Sequence, residues 1–125
     1  PLLSATERVE LVNEPGGSTT LGDGYRLHFS HGHTPGLMLT EVATSAGPIV
    51  FASDLIPGKA WVHHALTMGY DRYPELLLDE KTALLDDLIA RGGRLFFTHD
   101  ADHAVARPTK NDRGRYGCED AQASR

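Results

Sequence analysis

The chain holds one cysteine, Cys118, so no internal disulfide can form and no thiolate-rich metal site can be built from its own residues. Around it, GRYGCEDAQ shows no pattern of a reactive nucleophile, and Cys118 reads as a bystander. Apolar runs are short. None approaches the roughly 18 to 20 residues needed to cross a bilayer, and the opening segment lacks a basic stretch followed by an apolar one, so a soluble protein is expected, with the cytoplasm as its compartment. Clusters of Lys and Arg are missing too. With 12 basic against 17 acidic residues the formal net charge is -5, which withholds the electrostatic footprint that phosphate backbones reward. Small molecules or proteins, rather than nucleic acid or membrane, are the expected partners. Two further absences bear on the argument below: no histidine precedes His28, and the chain opens PLLSATERVE without Met, as a piece cut from a longer precursor would.

What is present fits one globular domain: 125 residues, 40% of them hydrophobic and 23% charged, enough to bury a core but not to divide comfortably in two. RVELVN (8–13) is a strand candidate, followed by a glycine-rich loop, EPGGSTTLGDG (14–24). YRLHFS (25–30) alternates as a strand does, and LMLTEVAT (37–44) with PIVFAS (48–53) frames the turn SAG as a β-hairpin. PELLLDEKTALLDDLIA (74–90) is the clearest helix. Pro74 suits its first turn, Leu77, Leu84, Leu85 and Leu88 fall on one stripe, and Gly92 and Gly93 end it. RLFFTHD (94–100) is a strand too apolar to be exposed on both faces, and residues 101–125 are polar, with NDRG as a turn. This order predicts one layer of an α/β protein with a mixed sheet and packed helices.

Three chemically active residues sit just past predicted strand ends: His33, Asp54 and His99. Such positions share one rim of an α/β sheet, where ligands bind. Imidazole and carboxylate are the donors that zinc and its neighbours accept, and the turns Thr34-Pro35-Gly36 and Ile56-Pro57-Gly58 would hold them rigidly. Taken singly, each has a plainer reading, the histidines as hydrogen-bonded surface residues and the aspartate as a turn or cap residue. No local motif such as HExxH forces them together.

GHTPG (32–36), FASD (51–54) and FFTHD (96–100), in this order with a helix between the last two, resemble the C-terminal half of the metallo-β-lactamase superfamily fold, among its lactonase-like and glyoxalase-II-like hydrolases. The resemblance spans roughly residues 8–105. It implies half of an αββα sandwich: residues 1–125 as the C-terminal half of the domain, with 106–125 a polar and partly flexible tail. It implies that His33 completes a first metal site, that Asp54 bridges two metals and is catalytic, and that His99 belongs to the second site. His31 stands where the family often has proline, which suggests a supporting or surface role. His28, alternating with Leu27 and Phe29, is read as structural. Trp61, His64 and Tyr70 lie in the segment that borders the substrate pocket in relatives and are the substrate-contact candidates.

By the same resemblance the cofactor is zinc, two ions in the intact protein, with iron, manganese or cobalt fitting similar donors. Metal-bound hydroxide would attack a lactone, ester, thioester, amide or phosphotriester. The family's upstream His-x-His-x-Asp-His motif, which supplies the remaining ligands, has no counterpart here. This chain alone is therefore expected to be inactive and to pair with an N-terminal half of the same fold or with another copy of itself. Pro57, where lactonase-like relatives often carry tyrosine, weakens that branch. The alternative is a non-catalytic binding or structural module that keeps the fold without a complete metal site.

Overall fold

The computed structural model describes residues 9–16 and 20–123. Strands β1 (Tyr25–Ser30), β2 (Leu37–Val42) and β3 (Ile49–Phe51) lead through two short 3-10 turns, Ser53–Leu55 and Lys59–Val62, to helix α1 (Pro74–Ala90). Strands β4 (Arg94–Phe96), β5 (His103–Lys110) and β6 (Tyr116–Ala123) follow. All six strands form one sheet in the order β1-β2-β3-β4-β5-β6. Every neighbouring pair is antiparallel except β3 and β4, which run parallel. The exception follows from connectivity, because a parallel pair needs a crossover long enough for a helix, and α1 lies in that crossover. The mixed α/β sheet expected from the sequence is thus formed, with one α-helix covering it.

Helix α1 buries the face its leucines mark: Leu77, Leu84, Leu85 and Leu88 are all in the core. Lys81 is buried with them. The pairing of Glu41 with Val50, Val50 with Leu95 and Leu95 with Ala106 puts those four residues on one side of the sheet, and all are buried. The opposite side carries Met38, Val42, Phe51 and Phe96, which are 42%, 36%, 41% and 39% exposed. Phe51 and Phe96 stack there with centroids 5.7 Å apart. A sheet with one dry face and one open apolar face is what half of a sandwich presents.

Three expectations are corrected. Residues 9–13 form no strand, and Arg8 lies outside the described residues. Pro15 has no N–H to pair and Gly16, at φ 137°, turns the chain, so among the described residues before β1 it is Gly16 that bridges to it, at Leu27. The strand predicted over 94–100 stops at Phe96, because the chain there bends to bring His99 to the rim. Finally, residues 106–123, read as a polar tail, belong to the β5-β6 hairpin; residues 124–125 lie outside the described set. NDRG is its turn, with Asn111 Oδ1 accepting from the N–H groups of Arg113 and Arg115, both at 3.0 Å. Asp86 of α1 draws the hairpin in by accepting from Lys110 Nζ at 2.8 Å and Tyr116 Oη at 2.7 Å. A segment this polar shows little periodicity because its order comes from hydrogen bonds to the sheet and helix rather than from an apolar stripe.

Candidate metal centre

Fold and turn chemistry bring the three strand-end residues together. Asp54 sits in the turn after β3, and each of its carboxylate oxygens faces one imidazole: Oδ1 lies 3.0 Å from His99 Nε2 and Oδ2 lies 3.8 Å from His33 Nε2. The His33 side chain is 14% exposed, Asp54 32% and His99 62%, so the group opens to solvent on the His99 side. Among the described residues no three His, Cys, Asp or Glu side chains converge as a closed single-ion site requires. The arrangement is two imidazoles on opposite oxygens of one carboxylate.

Backbone geometry delivers Asp54 at some cost. Ser53, immediately before it, has φ 45°, in the left-handed region that a non-glycine residue enters only when its surroundings demand it. Buried Leu55 and Ile56 anchor the other side of the turn, and the Ala52 N–H donates to Phe96 O at 3.0 Å, carrying the β3-β4 pairing one residue further. The loops after β3 and β4 are also tied to each other, because His99 N donates to Pro57 O at 2.9 Å.

Asp100, next to His99, clamps those same loops. Its Oδ2 accepts from Lys59 N at 2.8 Å, while Oδ1 accepts from His103 N at 2.8 Å and Asp102 N at 3.0 Å. Burial works to raise its pKa, but these backbone N–H groups, with the His103 ring, outweigh it and hold the carboxyl below its usual value.

His33 is the most constrained of the three. Its Nδ1 lies 2.8 Å from Asp71 Oδ1, and the Asp71 side chain is 1% exposed. An imidazole that gives its Nδ1 proton to a carboxylate keeps Nε2 as its free lone pair, the usual way a ligating histidine is oriented. From the other side Glu80 of α1 holds the turn itself, accepting from Ser30 Oγ at 2.7 Å, His31 N at 2.7 Å and Gly32 N at 3.0 Å. Gly32 is required there: a Cβ would fall inside the backbone of Leu77, so helix and turn touch directly. The N–H groups of Tyr73 and Arg72 complete the clasp by donating to Gly32 O and His33 O at 2.7 and 3.0 Å.

His31 and His28 serve the fold. His31 Nδ1 accepts from Gly36 N at 3.0 Å and so closes the Thr-Pro-Gly turn. His28 pairs with Glu41 at 2.8 Å on β2. Of the substrate-contact candidates, Tyr70 stands with its ring edge-on to His33, centroids 5.9 Å apart, and is 75% exposed. Trp61 is half-buried against the core. His64 is placed elsewhere, beside the Tyr116 ring at 6.4 Å, and is not among the side chains gathered at Asp54.

Asp71, Glu80 and Asp100 were not singled out from the sequence. Asp100 had a signal, since it closes the FFTHD motif, but Asp71 and Glu80 are acidic residues on exposed-looking stretches and only the packing of α1 on the turn reveals them.

No family model and no curated protein matches the sequence. Among solved structures the fold is similar to that of a probable metal-dependent hydrolase from Staphylococcus aureus, at 19% identity and a TM-score of 0.76, with 91% of this chain and 39% of that one covered. A hydrolase of the β-lactamase superfamily, AbOPH, matches at 21% identity and TM-score 0.68 over 84% of this chain and 38% of its own. AidC, a dizinc quorum-quenching lactonase solved with the product N-hexnoyl-L-homoserine, matches at 16% identity and TM-score 0.61, covering 82% and 35%. The chain therefore spans about two-fifths of the length of these structures, and over that length it has the metallo-β-lactamase half-domain fold.

Proposed function

We propose that this chain supplies one side of the active centre of a metal-dependent hydrolase, with His33, Asp54 and His99 as metal ligands. The observation that carries the reading is the Asp54 carboxylate with one imidazole Nε2 at each oxygen, 3.0 and 3.8 Å away. His33, Asp54 and His99 would together hold metal at this rim, and they are too few donors to complete a site by themselves. Zinc suits imidazole and carboxylate, as do iron, manganese and cobalt. When bound, such ions supply Lewis acidity and lower the pKa of water.

The chain's own residues do the positioning. Asp71 fixes the His33 ring and Glu80 the backbone of the turn just before it, the strained Ser53 turn sets Asp54, and Asp100 with Pro57 O places His99. Substrate is a small molecule with a hydrolysable lactone, ester, thioester, amide or phosphotriester bond, and exposed Tyr70 beside His33 is the side chain best placed to meet it.

The missing donors come from an N-terminal half of the same fold. The open sheet face of Met38, Val42, Phe51 and Phe96 is the surface that half covers, consistent with the solved structures being more than twice as long as the part this chain matches. The test is native mass spectrometry with elemental analysis on the full-length protein and on Asp54→Ala, His33→Ala and His99→Ala. Close to two metals per molecule, lost most severely in Asp54→Ala together with hydrolysis, is the expected result. Metal content and activity unchanged in all three variants would leave a binding or structural module.

A further inference from the structure

Lys81 has no part in the site so far, yet it is buried in the middle of α1, among the leucines of the core. A lysine is almost never placed there without a partner. Its Nζ donates to Leu66 O at 2.5 Å. Leu66 opens the segment 66–71 that ends at Asp71, and within that segment Asp71 Oδ2 accepts from Met68 N at 2.6 Å while Oδ1 meets His33 Nδ1. The positive charge of Lys81 also acts on Asp71. The 66–71 segment is thus tied at one end to the helix core by Lys81 and at the other to the ring of His33 by Asp71. Beside it on α1, Glu80 holds the backbone of the same turn.

We propose that Asp71 is the positioning residue for the His33 ring, and that Lys81 is the anchor that keeps the 66–71 loop, and with it Asp71, in register with His33. The proposal rests on the reading of His33 as a metal ligand for its consequence, but not for its geometry. Asp71 serves two donors, the Met68 N–H and the imidazole Nδ1–H, with two oxygens. In Asp71→Asn a single amide oxygen remains for two donors, so one of them faces an NH2 group and loses its partner. Lys81→Met keeps the aliphatic stem but leaves the part-buried Leu66 O without its Lys81 donor.

The experiment uses histidine-15N-labelled protein. Ring-nitrogen NMR of the metal-free protein should show His33 as the Nδ1–H tautomer, and Asp71→Asn and Lys81→Met should each move it to a mixture of tautomers. Competition with a zinc chelator should show affinity falling about 10- to 100-fold in Asp71→Asn, the range typical of lost carboxylate support behind a ligating histidine. Lys81→Arg, which keeps a donor and a charge, should recover part of the loss in Lys81→Met. A His33 tautomer unchanged in both Asp71→Asn and Lys81→Met, with their amide spectra still folded, overturns the proposal. If Asp71→Asn does not fold, Lys81→Met decides alone by the same ring signal. Should the wild-type protein take up no zinc while the tautomer still responds to both substitutions, the metal reading fails and the positioning chain stands.

Discussion

Glu41→Gln is the substitution whose effect follows most directly from the structure. Glu41 is buried on β2 and accepts from Arg91 through both oxygens, at 2.7 and 2.8 Å, while His28 Nε2 lies 2.8 Å from Oε2. Arg91 caps the end of α1 and also pairs with Asp87, so this cluster pins the helix C-terminus to the sheet. The Arg91 hydrogen bonds overcome the burial that would raise the Glu41 pKa, and with help from His28 they lower it from 4.5 to about 2.

At about 1.4 kcal/mol per pKa unit, that fall corresponds to roughly 3 kcal/mol of stability. Because the folded-state pKa is depressed, the stabilisation is present in full above pH 4.5 and is lost as the pH falls from there towards 2. Glu41→Gln keeps the shape and removes the charge, so it should lose most of that stability at pH 7 and show a flatter stability profile between pH 4.5 and 2. Urea unfolding of metal-free protein at several pH values, with the wild-type and variant curves subtracted, isolates Glu41 from the other carboxylates whose pKa values are lowered, Asp86 and Asp100. A variant within about 0.5 kcal/mol of wild type at pH 7, or a difference that does not shrink on acidification, would refute the reasoning.

Gly32→Ala should be among the most damaging single-methyl additions in the chain, because the new Cβ meets the backbone of Leu77 rather than a side chain that can move. A loss of about 1 to 3 kcal/mol or more in thermal unfolding is expected, with weakened zinc uptake, whereas Gly36→Ala, with open space but φ 87°, should cost less. Glu80→Gln removes the charge that collects three donors at the turn and should cost about 1 to 2 kcal/mol, read by denaturant midpoint, with zinc affinity reduced in parallel. Cys118, whose thiol burial pushes up to about 11, should react with an aromatic disulfide reagent at pH 8 at a small fraction of the unfolded-chain rate; a fast reaction in native conditions would contradict that burial.

Much of this protein is written locally. The α1 leucine stripe between Pro74 and Gly92, the β2-β3 hairpin around the Ser45–Gly47 turn, and the strand over 25–30 stand as their periodicity and turn residues predict, since each arises from contacts a few residues apart. The same holds for His33, Asp54 and His99 at strand ends, where motif and turn chemistry mark the positions. Other features have no local signature. Whether His33 and His99 would face one carboxylate depends on β3 and β4 lying side by side, a pairing between residues more than forty positions apart. Residues 9–13 carry a strand-like pattern but form no strand, and the 106–123 segment, too polar to look ordered, is held by the sheet and by Asp86. Asp71, Glu80 and Lys81 look in sequence like charges on solvent-facing positions. Only the docking of α1 and the loop before it against the turn at Gly32 makes Asp71 a partner of the His33 ring, Glu80 a partner of the His31 and Gly32 backbone and Lys81 a partner of Leu66 O, because hydrogen bonds between distant residues are decided by where the elements dock and not by what each segment prefers alone.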